Sequence, residues 1–526
     1  MIKKENNSQI LKKRYKAISN EDKRVPKKKK KNKIFTKQNI LFFFIPIIIF
    51  INLYLFNNNP IILELNKKVK ELESKIKSME KEVVTKKIKI GIINQHLLLN
   101  GIGRFITVLA ELLVKTGKYD VYLITEQQSD YDFKYNKKIK RHIVQKEFNA
   151  LKDFDEENDI QIYIINNDLS SIVDFFHSFG KKVIGIFHGV YLSLVFQNKT
   201  EIYRSWKLFS TFDSFVHNIP DDYWVYKKFG INNSIYIPNV FTFESKNTPS
   251  APLTYKNLLM VARLDDVIKG GKYAMLAMAE IIKEVPDALL TIIGTDTHFI
   301  ENLVKEFNIE KNVYYPGFST NVTEFYLNAS VLLVTSLSES YPMVMNEAKA
   351  YGLPIVAFNV DYCPCYQSGV ITVEMFNYKE MAKEAVKLLK NYDYRKKKGE
   401  EAKLSLNNFE TNDEKIEMWD KLFNAILNST EDYNKLQREI ENKYYNETAA
   451  KEHLKKHYHY GQKFNKYFRC HSFEKFTDLN YINNINVCKV GFSKSLIFNT
   501  SNISSRCSSS ISCSKCSFLI CSYNLL

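Results

Sequence analysis

Ser336–Pro354 reads SLSESYPMVMNEAKAYGLP, and the order of its residues decides the fold. Two short apolar runs flank it, Val331–Val334 (VLLV) before and Pro354–Phe358 (PIVAF) after. Runs apolar on both faces read as central strands of a parallel sheet. The segment between them reads as a loop and then a helix, with Pro342 at its first position and Gly352 near its end. Glu339 therefore falls at the carboxyl end of a strand, and Glu347 on the helix that follows. Open α/β sheets bind ligands at that edge, and a helix amino terminus attracts anions. Two carboxylates there suit hydroxyl groups and leave the helix end for a phosphate. A pair of Glu eight residues apart is common by chance; the strand, loop, Pro, helix, Gly, Pro and strand around it make it specific.

The same alternation extends in both directions. Upstream, Asn257–Ala262 reads as a strand, followed by Arg263, then Lys269-Gly270-Gly271 and a helix. Ala288–Ile293 and Val313–Tyr315, the latter leading into Pro316-Gly317-Phe318, are further strands; Tyr378–Asn391 is an amphipathic helix. Nearer the amino terminus, Ile88–Ile93 predicts a strand, Leu97–Arg104 a glycine-containing loop, and the residues to Lys115 a helix. Tyr119–Thr125, Ile160–Ile165, Lys182–Phe187 and Ser234–Pro238 are further strands. Strands alternating with helices predict parallel, doubly wound sheets. Gly101-x-Gly103 lacks the spacing of a dinucleotide fingerprint, so it is either a structural turn or a ligand loop. The polar stretch Glu244–Pro252, with two prolines, separates the two units as a linker.

Glu339-x7-Glu347, with Pro342 after the first Glu and the run Glu347-Ala-Lys-Ala350-Tyr-Gly352-Leu-Pro354-Ile-Val-Ala357, resembles glycosyltransferase family 4. The resemblance spans about residues 88–430 and is strongest from Asn257 to Val360. It implies the GT-B fold, two Rossmann-like doubly wound domains facing across a cleft. It also implies a retaining transfer from a nucleotide-diphosphate sugar. Glu347 would hold the ribose hydroxyls and Glu339 the hydroxyls of the donor sugar, with backbone around Ser340, Tyr341, Pro342 and Met343 positioning that sugar. Arg263 and Lys269 resemble the family's diphosphate clamp. A guanidinium fork and an ammonium point charge stabilise the negative charge that grows on the leaving diphosphate, without a metal. His188, at the end of Val183–Gly189, matches a histidine that approaches the donor sugar. Gly101 and Gly103 match a loop near the donor phosphates or acceptor. Asp413–Leu427, with Trp419, matches the terminal helix that returns to the first domain. Ser340 is a departure, since many relatives carry Gly after the first Glu; the added hydroxymethyl group is expected to alter donor choice or weaken donor binding.

The chain has 526 residues and a net charge of +17, with 45% hydrophobic residues, enough for two or three globular cores. The basic excess is concentrated in residues 1–39, which hold 15 Lys/Arg against 3 Asp/Glu, so it argues for a solvated basic tail and against a nucleic-acid partner. Residues 40–56 are an uncharged run of 17, long enough to span a bilayer as a signal anchor. The positive charge before it predicts a cytosolic amino terminus, hence a type II single-pass protein, facing the Golgi or ER lumen in a eukaryote. Within residues 61–85, Ile62, Leu65, Val69, Leu72, Ile76, Met79 and Val83 form a heptad seam, either a coiled-coil stem that would dimerise the protein or a single amphipathic helix.

The expected organisation is therefore a tail (1–39), a transmembrane anchor (40–56), a stem (61–85), an acceptor-side Rossmann-like domain (88–243) and a nucleotide-sugar domain (253–430). Residues 431–526 are polar and then Ser/Cys-rich, expected to be partly disordered; Cys513-x2-Cys516 is half a zinc motif without a second half. The function implied is a membrane-anchored retaining glycosyltransferase that uses a nucleotide sugar and a carbohydrate or glycoconjugate acceptor. No cofactor and no metal are expected, since no Asp-x-Asp motif stands at an appropriate site. A nucleotide-sugar epimerase of the same fold and a catalytically degenerate, membrane-tethered scaffold are the alternatives. The intact Arg/Lys and Glu/Glu sets count against the scaffold.

Overall fold

The computed structural model describes residues 68, 70, 71 and 87–456, with gaps at 98–99, 131, 145–147, 167–169, 190–204, 206, 229, 264–266, 295–296, 320, 361–367, 449–450 and 453–454. Residues 1–86 and 87–526 are separate compact units. The expected membrane span at 40–56 lies outside the described residues. So does the stem at 61–85, except for residues 68, 70 and 71, which are helical. Among the described residues no helix is long and apolar enough to cross a membrane.

The first domain runs β1 (Ile88–Ile93), α1 (Gly101–Lys115), β2 (Tyr119–Thr125), β3 (Lys140–Ile143), α2 (Phe148–Asn158), β4 (Ile162–Asn166), α3 (Ser170–Ser178), β5 (Lys182–Phe187), β6 (Ser214–His217), α4 (Pro220–Lys228) and β7 (Ser234–Tyr236). Among the described residues its sheet has seven strands in the order β3-β2-β1-β4-β5-β6-β7. Every neighbouring pair is parallel. The central strands are apolar because helices cover both faces: β4 (IYIIN) is buried along its whole length. In α1, Phe105, Ile106, Leu109, Ala110 and Leu113 form the buried stripe, the spacing of one face of a helix.

The second domain follows with β8 (Asn257–Val261), a 3₁₀ turn at Val267–Lys269, α5 (Gly271–Glu284), β9 (Leu289–Ile293), α6 (Thr297–Glu306), β10 (Val313–Gly317), α7 (Thr323–Leu327), β11 (Val331–Val334), α8 (Met343–Ala350), β12 (Ile355–Phe358) and β13 (Val370–Val373). It ends with α9 (Tyr378–Lys390), α10 (Tyr392–Ser405), α11 (Asn412–Asn428) and α12 (Thr430–Tyr444). Its six described strands take the order β10-β9-β8-β11-β12-β13, again parallel. Both sheets therefore reverse their winding beside the first strand, between β1 and β4 and between β8 and β11. Such switch points open crevices at the carboxyl ends of the strands.

The chain crosses back after α10. Trp419, Leu422 and Phe423 of α11 share a core with Ile90, Leu109 and Tyr119 of the first domain. Lys118 Nζ reaches Asp420 at 2.9 Å, and the Tyr119 hydroxyl also donates to Asp420. The expected return of this helix to the first domain is thus what the fold contains. The expected end of the folded unit at residue 430 is corrected. Tyr433, Leu436 and Ile440 of α12 are buried, and the Tyr433 hydroxyl donates to Asn233 O at 2.7 Å. The charged residues of α12 lie on its outer face, while Gln437 is buried and donates to Asn232 O and Ser234 O. Pro342 is likewise the residue before α8 and not its first.

Candidate active site

Contacts link sequence-predicted residues in pairs, Lys269 with Glu339 and Ser340 with His188. In the second domain, Arg263 follows β8, Lys269 ends the 3₁₀ turn before α5, and Glu339 lies in the loop after β11. The Lys269 loop is fastened to that strand end: Thr335 Oγ1 donates to Lys269 O at 2.8 Å, and Leu337 N–H to Ile268 O at 2.7 Å. Gly270 permits this approach. It sits at φ 64°, and a Cβ there would lie 2.3 Å from Thr335 O. The outcome is an ion pair, Lys269 Nζ to Glu339 Oε1 at 2.7 Å, with the Glu339 side chain 10% exposed. A cation and a carboxylate so placed offer one group for a phosphate and one for hydroxyls.

Glu347 lies one helix away and is nearly sealed, 4% exposed. The Tyr326 hydroxyl donates to its Oε2 at 2.7 Å. Tyr326 stacks on Tyr351, with centroids 5.2 Å apart and planes 7° from parallel, and burial together with the Glu347 charge pushes its phenol well up. On the other carboxylate oxygen, Arg104 of the first domain brings Nε to 3.6 Å of Oε1. Neither Arg104 nor Tyr326 was picked out from the sequence. Arg104 looks like the polar face of an amphipathic helix, and Tyr326 like core.

From the first domain, His188 follows β5 and is held by Asn166 at the end of β4: Nε2 to Oδ1 is 2.8 Å. Its ring meets Phe105 edge to face at 5.0 Å. Burial lowers its pKa from 6.5 to about 4, so it is neutral at physiological pH. The Ser340 hydroxyl donates to His188 O at 2.6 Å, a bond from one domain to the other. Tyr341, Pro342 and Met343 are buried. Met343 packs into the first domain's core cluster. Helix α8 starts at Met343, and Pro342 before it gives no side-chain cap, so the positive end of its dipole is open to an anion.

Gly101 and Gly103 form the first turn of α1. The Gly103 N–H is committed to the cap, donating to Asn100 Oδ1 at 2.8 Å, whereas a Cβ at Gly101 would meet nothing within 4 Å. The Gly103 N–H thus serves the helix cap, and Gly101 faces open space. Among the described residues no group of three or more His, Cys, Asp or Glu side chains is placed to hold a metal ion. Cys513 and Cys516 lie outside the described residues.

Two parallel α/β domains, with Lys269, Glu339 and Glu347 on one side and Arg104 and His188 on the other, form a cleft of the GT-B kind. Residues 242–405 match the family described as glycosyl transferases group 1. An uncharacterised glycosyltransferase of Haemophilus influenzae is 33% identical over 171 residues, 31% of this chain and 48% of that protein. The N-acetyl-alpha-D-glucosaminyl L-malate synthase of Bacillus anthracis is 32% identical over 155 residues, 28% of this chain and 39% of that protein. The chain thus spans about half or less of the curated relatives it matches. Among solved structures, sucrose-phosphate synthase from Thermosynechococcus elongatus superposes with a TM-score of 0.55 at 16% identity, covering 65% of this chain and 99% of that one, a likeness of fold.

Proposed function

We propose that the protein is a retaining, metal-independent glycosyltransferase, anchored in a membrane by residues 40–56, that moves a sugar from a nucleotide-diphosphate sugar to an acceptor hydroxyl. The observation that carries this reading is the Lys269–Glu339 ion pair after β11, with Glu347 on the helix that follows and His188 tied to Ser340 from the first domain. Glu347 takes the ribose hydroxyls and Glu339 those of the donor sugar. Arg263 and Lys269 stabilise the leaving diphosphate; Lys269 exchanges its bond to Glu339 for a phosphate oxygen when the donor arrives. His188, neutral, accepts a hydrogen bond from a sugar hydroxyl without competing for the diphosphate. With fixed cations at the leaving group the reaction needs no metal. The acceptor is a carbohydrate or glycoconjugate that enters from the first-domain side. A cytosolic amino terminus places the catalytic unit in the lumen of the ER or Golgi in a eukaryote, and the 61–85 stem would pair two copies.

The test is a thermal-shift panel on the purified chain with UDP, GDP, ADP and CMP. A nucleotide at 100 times its Kd stabilises by about 2.7 kcal/mol, a readable shift. One nucleotide is expected to raise the midpoint. In Glu347→Ala that shift shrinks, as Kd weakens roughly 10- to 100-fold through lost charge-assisted hydrogen bonds, while circular dichroism is unchanged and transfer is lost. Full transfer by a folded Glu347→Ala protein would reject the assignment.

A further inference from the structure

Arg104 is built into the first domain with care. It stands in the first turn of α1, where Asn100 O accepts its N–H at 3.0 Å. Its guanidinium lies over the Phe133 ring at 4.3 Å. Phe133 is itself buried and fastened through its N–H to Leu97 O at 3.0 Å. The stacked ring and the helix turn together fix the direction in which the side chain points. It points at a carboxylate of the other domain.

Glu347 needs what Arg104 offers. A carboxylate with 5% side-chain exposure is costly unless its charge is compensated. Tyr326 gives it a hydrogen bond but no countercharge. Arg104 gives a countercharge at 3.6 Å, beyond the usual N–H···O range of about 2.7–3.2 Å. The pair therefore compensates Oε1 without occupying it, and a carboxylate oxygen keeps lone pairs for incoming hydroxyls.

We propose that Arg104 is a positioning residue for ribose recognition: from the first domain it sets the charge and orientation of Glu347, so that reading the ribose depends on both domains being in contact. This rests on the assignment of Glu347 to the ribose hydroxyls given above. It makes donor recognition a property of the closed cleft. Opening the domains removes the countercharge from a buried acid, and that acid then serves a diol poorly.

The experiment uses the full chain and calorimetric titration with UDP, GDP and ADP, each beside its 2′,3′-dideoxy counterpart. The wild type is expected to prefer the ribonucleotide of one base by roughly 10- to 100-fold, the range of charge-assisted hydrogen bonds. Arg104→Met, of similar length without charge, is expected to bring that preference to within about 3-fold, and Arg104→Lys to restore part of it. Arg104→Met combined with Glu347→Gln should discriminate no worse than Glu347→Gln alone, the non-additivity of groups acting as a unit. If Arg104→Met weakens ribo- and dideoxynucleotide alike and leaves the ratio intact, Arg104 touches the diphosphate or merely supports the fold, and the proposal fails while the Glu347 assignment stands. A wild-type protein that binds a diphosphate with no regard for its ribose, or binds none, overturns both.

Discussion

His188 is held as an uncharged imidazole, and the reason is local. Burial holds its pKa near 4 against an ordinary 6.5. Asn166 Nδ2 donates to Ile93 O at 3.2 Å, which turns the Asn166 oxygen toward the ring 2.8 Å away. Nε2 then carries the hydrogen and Nδ1 the lone pair, a form suited to a sugar hydroxyl. The depressed pKa also links folding to pH. Between pH 6.5 and 4 the unfolded chain binds a proton that the folded chain refuses. The stability this represents is complete above 6.5 and is lost as pH falls through 4. In His188→Gln, which keeps a donor toward Asn166, the fall of unfolding free energy with falling pH in that window is expected to be shallower, by up to about 1.4 kcal/mol per pH unit, one proton's worth. Urea melts of both proteins at several pH values measure it. His217, also lowered by burial, to about 3, is present in both and cancels. Parallel curves would mean that His188 titrates normally.

Gly270 fixes the geometry of the loop that carries Lys269. Its φ of 64° strains any other L residue, and the missing Cβ is the space that Thr335 O fills. Gly270→Ala is expected to cost more than about 2 kcal/mol, combining left-handed strain with a backbone clash. It should weaken nucleotide binding as well, because relief of the clash drags Lys269 away from Glu339. Gly101→Ala, which meets open space, should change the melting midpoint little, so the pair of melts isolates the cause. Elements of this sort divide sharply in how far the sequence reveals them. β8, β11 and β12 are short apolar runs between turn residues, and were legible within a residue or so. β3 (KRHI) and β13 (VITV) are edge strands with partly exposed faces, so neither shows an unbroken apolar run nor a clean alternation. β6 (SFVH) is buried throughout yet four residues long, too short for periodicity to register. Residues 431–469 read as polar and helix-prone, but the packing of α12 on the fold was hidden by composition, since its buried Tyr433, Leu436, Gln437 and Ile440 are scattered among charges. The Glu339, Glu347, Lys269 set was legible because each residue sits at a fixed place in a strand–loop–helix unit. Arg104 was not, because its partner is 243 positions away and no local pattern links them.

At the scale of the molecule, the two domains are joined by two passes of chain, and one side chain ties the passes together. Asn412, 6% exposed, accepts the Phe241 N–H at 2.7 Å and donates to Phe241 O at 2.9 Å. Its own N–H donates to Glu244 Oε1 at 3.2 Å, and Lys415 one turn on lies over the Phe241 ring at 3.1 Å. The pair of bonds to Phe241 satisfies a buried backbone donor and acceptor at the outgoing crossing from the helix that makes the return. Asn412→Ala leaves both unmet, and is expected to destabilise the protein by about 2–4 kcal/mol. The functional consequence should be unequal. Lys269, Glu339 and Tyr326 all hold the donor site from within the second domain, and Arg104 reaches only one of its groups. On the proposed function, transfer needs His188 and the acceptor face aligned with that site, and small misalignments of reacting groups can cost ~100-fold. Asn412→Ala should therefore lower kcat by a larger factor than it raises the nucleotide Kd, under conditions where the variant is still folded. Steady-state kinetics beside calorimetric titration give the two factors. If Kd rises as much as kcat falls, the joint acts chiefly through the Arg104–Glu347 contact and not through the alignment of His188; unchanged stability would show that Phe241 finds other partners.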